Sequence, residues 1–410
     1  MAGLLFPAFQ KFYSALSNIE RFNKEKSFFD NISSLDNFFS EYRNITFVIQ
    51  KSLAHTPYED IYIECRDKYL IDRWFVEKRN ETIKQQPFRL TKHINTTVYF
   101  PSIGFSVDSQ TYTVDNDTSL DMLINSIREK LISYNSIEVF FSVKFDFYEY
   151  EKEENTIKKC IDGIQAMKNF MDAMYNLIDL PCPLCEELQD KISNFNFSRS
   201  PLDMISTIDY VYYPETNEFD RASRISGMLG FNESSKRSSI TDFGKMFKFN
   251  FNDSFKTFVF INAILQRTDL MTTIMIVYKN GSYTMDMFDA SIKTTFYRKI
   301  NETADIILKE EVEEVYFMMI YVTITSPRLD ISKTTSKERM LYAGEEILNC
   351  TKVDYNLNEE EYSFIGSQLS DMDYVAFQIN EGKKHQLEYG RENMKPIIEA
   401  FKKHKEKNKK

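Results

Sequence analysis

Glycine is scarce in this chain, 11 among 410 residues, and proline numbers only 10. So few flexible or chain-breaking residues exclude a linker-rich or low-complexity protein. They also leave little material for a loop that cradles phosphate. No Walker loop, Rossmann glycine fingerprint, Gly-X-Ser-X-Gly elbow or His-Glu-X-X-His motif occurs. Common nucleotide hydrolases, dinucleotide oxidoreductases and serine hydrolases are thereby set aside, and no cofactor is expected. Histidine is rarer still, with His55, His93, His385 and His404 alone. The five cysteines, Cys65, Cys160, Cys182, Cys185 and Cys350, are odd in number and scattered, which suits a reducing interior better than a disulfide framework. No stretch reaches the roughly 18 uncharged apolar residues of a membrane span. The first ten residues lack the basic start and apolar run of a signal peptide. A cytoplasmic protein without a membrane partner is the expectation.

What the chain has in quantity is aromatic surface: 35 Phe and 24 Tyr against the single Trp74. That is ample for burial, and the length allows two or three cores. Net charge is −10, so the body should not bind nucleic acid indiscriminately, although a local basic face is compatible with an acidic average. The six lysines of the last ten residues read as a solvated end.

Apolar spacing divides the chain. Phe9, Phe12, Tyr13, Leu16, Ile19 and Phe22 recur at helical steps, as do Leu35, Phe38, Phe39, Tyr42, Ile45, Ile49 and Leu53, with Ser34 as a cap. A third segment opens on Thr56, Pro57 and Glu59, breaks near Asp67 and runs on to Lys84, where Pro87 stops it. Residues 1–90 therefore read as an antiparallel helical bundle. Beyond them the period shortens. Short strands at 97–100, 104–107 and 111–114 are followed by a helix after Ser119, a strand from Ile137 and a long helix at 152–178. The order returns in a hairpin over 274–288, a helix over 291–309 and a strand from Val312. In that hairpin Asn280-Gly281 suits the two positive-φ positions of a type I′ turn. Tyr112-Thr-Val-Asp recurs as Tyr283-Thr-Met-Asp, and Glu138-Val-Phe-Phe as Glu314-Val-Tyr-Phe. Duplication and chance likeness of aromatic strands both stand. The fold class is α+β: a bundle at 1–90, a first ββαβ unit with its long helix at 91–200, a second unit at 201–345, and C-terminal strands and helix at 346–410.

Arg79-Asn80-Glu81-Thr82-Ile83-Lys84 closes the third helical segment. Arginine, a polar neighbour and a basic residue in the same helix resemble the motif of the HEPN ribonucleases, with lysine where those proteins carry histidine. The resemblance, confined to residues 1–90, implies a bundle that pairs with a second copy and brings two such motifs over an RNA phosphate. In that arrangement Arg79 would bind the phosphate, Asn80 would be its polar neighbour and Lys84 would take the histidine's place. Histidine exchanges a proton near neutral pH; a lysine acting as base must have its pKa lowered by several units. The motif is thus expected to bind rather than cut. Arg43-Asn44 echoes it in the second helix, and Arg43 and Arg79 would face each other and pair with Glu41, Glu77 or Glu81. A prokaryotic defence or stress setting is what the resemblance implies.

Two further patterns bear on chemistry. Cys182-Pro-Leu-Cys185 supplies two of the four ligands a structural zinc needs, with Cys160 as a conceivable third; redox chemistry and a plain pair of thiols are the other readings. Glu381-Gly-Lys383 with Asp354, Asp371 or Asp373 fits the end of a magnesium nuclease motif, and also a turn into the last helix. Three functions are carried forward. The first is a non-catalytic binding or regulatory protein with an unidentified protein partner. The second is a metal-independent ribonuclease using Arg79 and Lys84 across a dimer. The third is a scaffold whose strand edges recruit another protein.

Overall fold

A computed structural model of the chain describes residues 3–22, 28–100, 106–114, 120–134, 136–178, 181–193, 207–222, 238–239, 253–262, 271–326, 329–330, 333–368, 375–379 and 394–408. The protein is α+β, with N-terminal helices ahead of two antiparallel sheets. It divides into two compact units, one of residues 1–95, 111–129 and 144–207, the other of 96–110, 130–143 and 208–410.

The first unit is built on α1 (Phe6–Ile19), α2 (Phe28–Leu53), α3 (Glu59–Tyr69), α4 (Trp74–Lys84), α6 (Thr156–Ile178) and α7 (Pro183–Ser193). Helix α1 packs on α2 and α7, α2 on α4, and α3 on α6. Every member of the α2 stripe from Leu35 to Leu53 is buried, as are Phe9, Phe12, Leu16 and Ile19 of α1. Tyr13 is the exception and stays exposed. Helix α2 starts at Phe28, so Ser34 lies inside it and donates to the Asp30 carbonyl at 2.9 Å instead of capping. The third segment is two helices. Its break falls at Leu70–Arg73, beyond Asp67, because Asp72 Oδ1 accepts the Trp74 N–H at 2.9 Å and starts a new helix.

The strands are β1 (Leu90–Phe100), β2 (Ser106–Val114), β3 (Val139–Glu149), β4 (Thr207–Tyr213) and β5 (Glu218–Arg221), in sheet order β2-β1-β3-β4-β5, with α5 (Leu120–Leu131) between β2 and β3. The second sheet comprises β6 (Ser238–Ser239), β7 (Thr272–Tyr278), β8 (Ser282–Phe288), β9 (Val312–Ile324), β10 (Ala343–Asp354), β11 (Glu359–Gln368) and β12 (Val375–Ile379), in order β12-β11-β10-β9-β7-β8-β6. Helix α9 (Lys293–Lys309) connects β8 to β9. Two strands, β1 and β2, stand where three short ones were expected over 97–114, since residues 106–114 pair as one continuous strand. In both sheets the first strand of the ββαβ unit lies between the second and the third.

Strand β7 is buried along its whole length, and the second unit explains why. Ile274, Ile276 and Tyr278 face one core with Val315 and Phe317 of β9, covered by Phe296, Ile300 and Ile307 of α9 and by Phe401 of α10 (Lys395–Lys407). Met275 and Val277 face another with Tyr316, Met318 and Leu348, covered by Phe255 and Phe258 of α8 (Ser254–Phe260). A strand covered on both faces reads as a continuous apolar run. The hairpin turn differs from the sequence expectation: Gly281 has φ +78°, but Asn280 is not in the left-handed region. Gly281 N–H closes on the Tyr278 carbonyl at 2.9 Å, the pattern of a type I turn followed by a left-handed glycine. Gly281→Ala should therefore cost about 1–2 kcal/mol, measured by urea unfolding, from the φ penalty alone, since no atom lies within 4 Å of the added Cβ.

Candidate functional site

Helix α4 buries Trp74, Phe75 and Lys78 on its inner face. Arg79 and Asn80, the next residues round the helix, are half-buried, and Lys84 is exposed at the last position. On the neighbouring α2, Arg43 and Phe47 are one turn apart. The Arg43 guanidinium lies 4.0 Å from the centroid of the Phe47 ring, and that of Arg79 lies 5.8 Å from the same centroid. Phe47 itself is 40% exposed. Burial, and then the positive charges of Arg79 and Arg66, weaken the hold of Arg43 on its proton, against the opposing effect of the Tyr62 phenol. An arginine nevertheless stays charged at any working pH. Two helices therefore bring like charges together around one aromatic ring.

Two of the three glutamates expected to neutralise them are engaged elsewhere, and the third, Glu77, pairs with neither arginine among the described residues. Glu41 pairs with Lys11 at 3.0 Å. Glu81 pairs with the buried ammonium of Lys78 at 2.6 Å, which also meets Glu149. Burial opposes the charge of Lys78, but these two carboxylates outweigh it and raise its pKa. Glu77 lines a cleft of about 280 Å³ with Asp72, Trp74, Glu149, Lys152 and Lys159. Among the described residues Arg43 donates only to Thr46 Oγ1, and Arg79 only to Asn80 Oδ1 at 3.3 Å. The Arg79 Nε is buried without a partner. Of the ten guanidinium N–H groups two donate within the protein among the described residues and the one at Arg79 Nε is buried; the others are not matched by a protein acceptor. Phe47 carried no signal in the sequence; only its position four residues after Arg43 on a shared helix would have found it.

Lys84 and Asn80 are a turn apart, and Lys84 makes no hydrogen bond or ion pair among the described residues. His93 packs on Tyr148, ring centroids 4.6 Å apart, and offers nothing to the Arg79 motif. The arrangement can hold an anion and present a flat apolar face beside it. Among the described residues it brings no imidazole to that place. Known families, characterised proteins and solved structures were compared with the chain. None matches. The HEPN resemblance accordingly rests on Arg79, Asn80 and Lys84.

The other sequence candidates fall as follows. Cys182 and Cys185 are joined as a disulfide, while Cys160 is a separate, buried thiol. No group of three His, Cys, Asp or Glu side chains placed to hold a metal occurs among the described residues. Asp354 accepts the Asn358 N–H at 2.8 Å and closes the β10–β11 turn. Glu381, Lys383, Asp371 and Asp373 lie outside the described residues. No described helix is long and apolar enough to cross a membrane.

Proposed function

We propose that this chain is a non-catalytic binding protein with a regulatory role, and that its N-terminal bundle takes a phosphate-bearing ligand, RNA first among them, at Arg43 and Arg79. The observation that carries this reading is the pair of guanidiniums around Phe47 with no carboxylate partner among the described residues. A folded protein that only needed polar filler there would gain by pairing each arginine, since two like charges side by side oppose folding. Phosphate oxygens would accept the spare N–H groups in charge-assisted bonds, and a nucleotide ring could rest on the exposed edge of Phe47. The absence of histidine from the motif supports binding over cleavage.

The test is fluorescence anisotropy with a mixed, labelled RNA pool, run beside a gel that reports cleavage. Arg43→Ala and Arg79→Ala should each weaken binding about 10- to 100-fold, the weight of one charge-assisted hydrogen-bonded contact. Binding should fall steeply with added salt. Neither substitution should cost stability, because neither removal leaves a carboxylate unpaired among the described residues. A loss of about 1–3 kcal/mol instead would mark the cluster as structural. Cleavage that vanishes with Arg79→Ala would restore the ribonuclease, and Lys84→Ala would then identify its second group.

A further inference from the structure

Cys182-Pro-Leu-Cys185 is a motif that the anion site leaves unused. Its sulfurs are joined, and their surroundings differ from those of every other cysteine in the chain. Cys182 stands immediately ahead of α7, so its sulfur lies at the N-terminal end of an eleven-residue helix. Unsatisfied amides and the helix dipole favour negative charge there. Two backbone N–H groups are aimed at that sulfur, the one of Cys185 at 3.2 Å and the one of Gly3 at 3.3 Å. Gly3 comes from the segment leading into α1. A Cβ at its position would lie 2.8 Å from both Cβ and Sγ of Cys182, so glycine is what lets the amide approach. Cys65, Cys160 and Cys350 are buried thiols, and burial pushes each of them up. No N–H group donates to any of the three among the described residues. Pro181, Pro183 and Leu184 are exposed, so the pair lies one side chain beneath the surface.

We propose that Cys182 and Cys185 form a reversible redox site, a dithiol–disulfide couple that exchanges electrons with dithiols, in which Cys182 carries the thiolate. In the reducing direction one thiolate of the external dithiol attacks Sγ of Cys185. The S–S bond breaks and its electron pair leaves on Cys182, whose thiolate the two N–H groups and the helix end stabilise; the better-stabilised sulfur is the better leaving group. The second thiol of the reductant, deprotonated, then displaces Cys185, which takes up that proton. Two electrons pass, and the external dithiol ends as its own disulfide. Reduction also turns the acceptor of the Gly3 amide from a neutral disulfide sulfur into a charged one, so the start of α1 is held more firmly in the reduced form. None of this depends on the anion site.

The test equilibrates the full chain with dithiothreitol at graded ratios of its reduced and oxidised forms. The mixture is quenched in acid, alkylated in denaturant and weighed by mass spectrometry. The expected result is one transition from five alkylated cysteines to three, the three being Cys65, Cys160 and Cys350. Cys182→Ser and Cys185→Ser should each hold four at every ratio. A second readout needs no variant: brief alkylation of the reduced, native protein at pH 6, mapped by peptide, should mark Cys182 first. Five alkylated cysteines at every ratio, or a transition that survives both variants, would overturn the couple. Labelling of Cys185 ahead of Cys182 would overturn the assignment of the thiolate.

Discussion

Asp209→Ala should cost about 3–5 kcal/mol of folding stability, because it leaves a buried guanidinium without its main partner. The Asp209 side chain is 4% exposed and that of Arg298 11%. Arg298 Nε meets Oδ1 at 2.9 Å and Nη2 meets Oδ2 at 2.9 Å, a two-pronged contact. Ser142 Oγ adds a third donor to the carboxylate at 2.6 Å. Burial alone would raise the pKa of Asp209. The charge and hydrogen bonds of Arg298, helped by Ser142, outweigh it and hold the carboxyl below its ordinary value. Glu302, bonded to Arg298 at 2.9 Å and to the buried ammonium of Lys299 at 3.3 Å but itself 47% exposed, is a poorer partner, and Glu302→Ala should cost about 1–3 kcal/mol, less than Asp209→Ala. The pH dependence follows from the sign of the shift. A depressed carboxyl contributes stability above its unfolded value of about 4 and loses it as pH falls through the folded value. Asp209→Asn should therefore be less stable at neutral pH and show a flatter acid limb than the parent. Chemical denaturation followed by far-UV circular dichroism measures both effects. The single Trp74 lies in the other unit, so tryptophan fluorescence should be left unchanged by the same substitution unless the units unfold together.

That contact was invisible in the sequence, since Asp209 and Arg298 are 89 residues apart and neither stands in a motif. What could be read was local and periodic. The α2 stripe from Leu35 to Leu53 named its buried face residue by residue, because a 3.6-residue period projects directly onto burial. The recurring ββαβ order was legible for a related reason: aromatic strands and an Asn-Gly turn announce themselves within a few residues. Errors arose where two local signals competed. Ser34 looked like a cap, but Asn31 and Ile32 ahead of it already continue the helix, and a serine inside a helix satisfies its hydroxyl on the carbonyl four residues back. Asn280-Gly281 suits several turns, and the loop length selected the one in which only the glycine is left-handed. At the candidate site the sequence placed Arg43 and Arg79 on neighbouring helices, and the structure brings both to Phe47. It could not say that Lys11 and Lys78 would occupy Glu41 and Glu81, because such competition is settled only by packing.

Packing also sets the second large effect, at Gly163 on the buried face of α6. A Cβ there would lie 2.0 Å from Cζ and 2.2 Å from Cε2 of Phe75, far inside contact distance. The ring has nowhere to go. Tyr42 stacks on it at 4.3 Å between centroids, and Trp74, Phe38 and Phe39 close its other sides at 4.9, 6.2 and 6.4 Å. The Tyr42 hydroxyl, buried, donates to the Gly163 carbonyl at 2.8 Å and fixes the helix at that height. Alanine favours a helix over glycine by about 1 kcal/mol. Against this, forcing an extra carbon into a filled core costs about 1–3 kcal/mol and sometimes more, so the net result of Gly163→Ala should be a loss of up to about 2 kcal/mol. Phe75→Leu alone should cost about 1–3 kcal/mol through the space it leaves. The two together should cost less than their sum, by about 1 kcal/mol or more, because the leucine vacates the volume the new methyl needs. Trp74 touches Phe75, so its fluorescence through a urea titration reports all four members of the cycle. Additive costs would mean that α6 shifts to relieve the clash. In that case the Tyr42–Gly163 bond should break, and Tyr42→Phe should cost nothing further in the Gly163→Ala background.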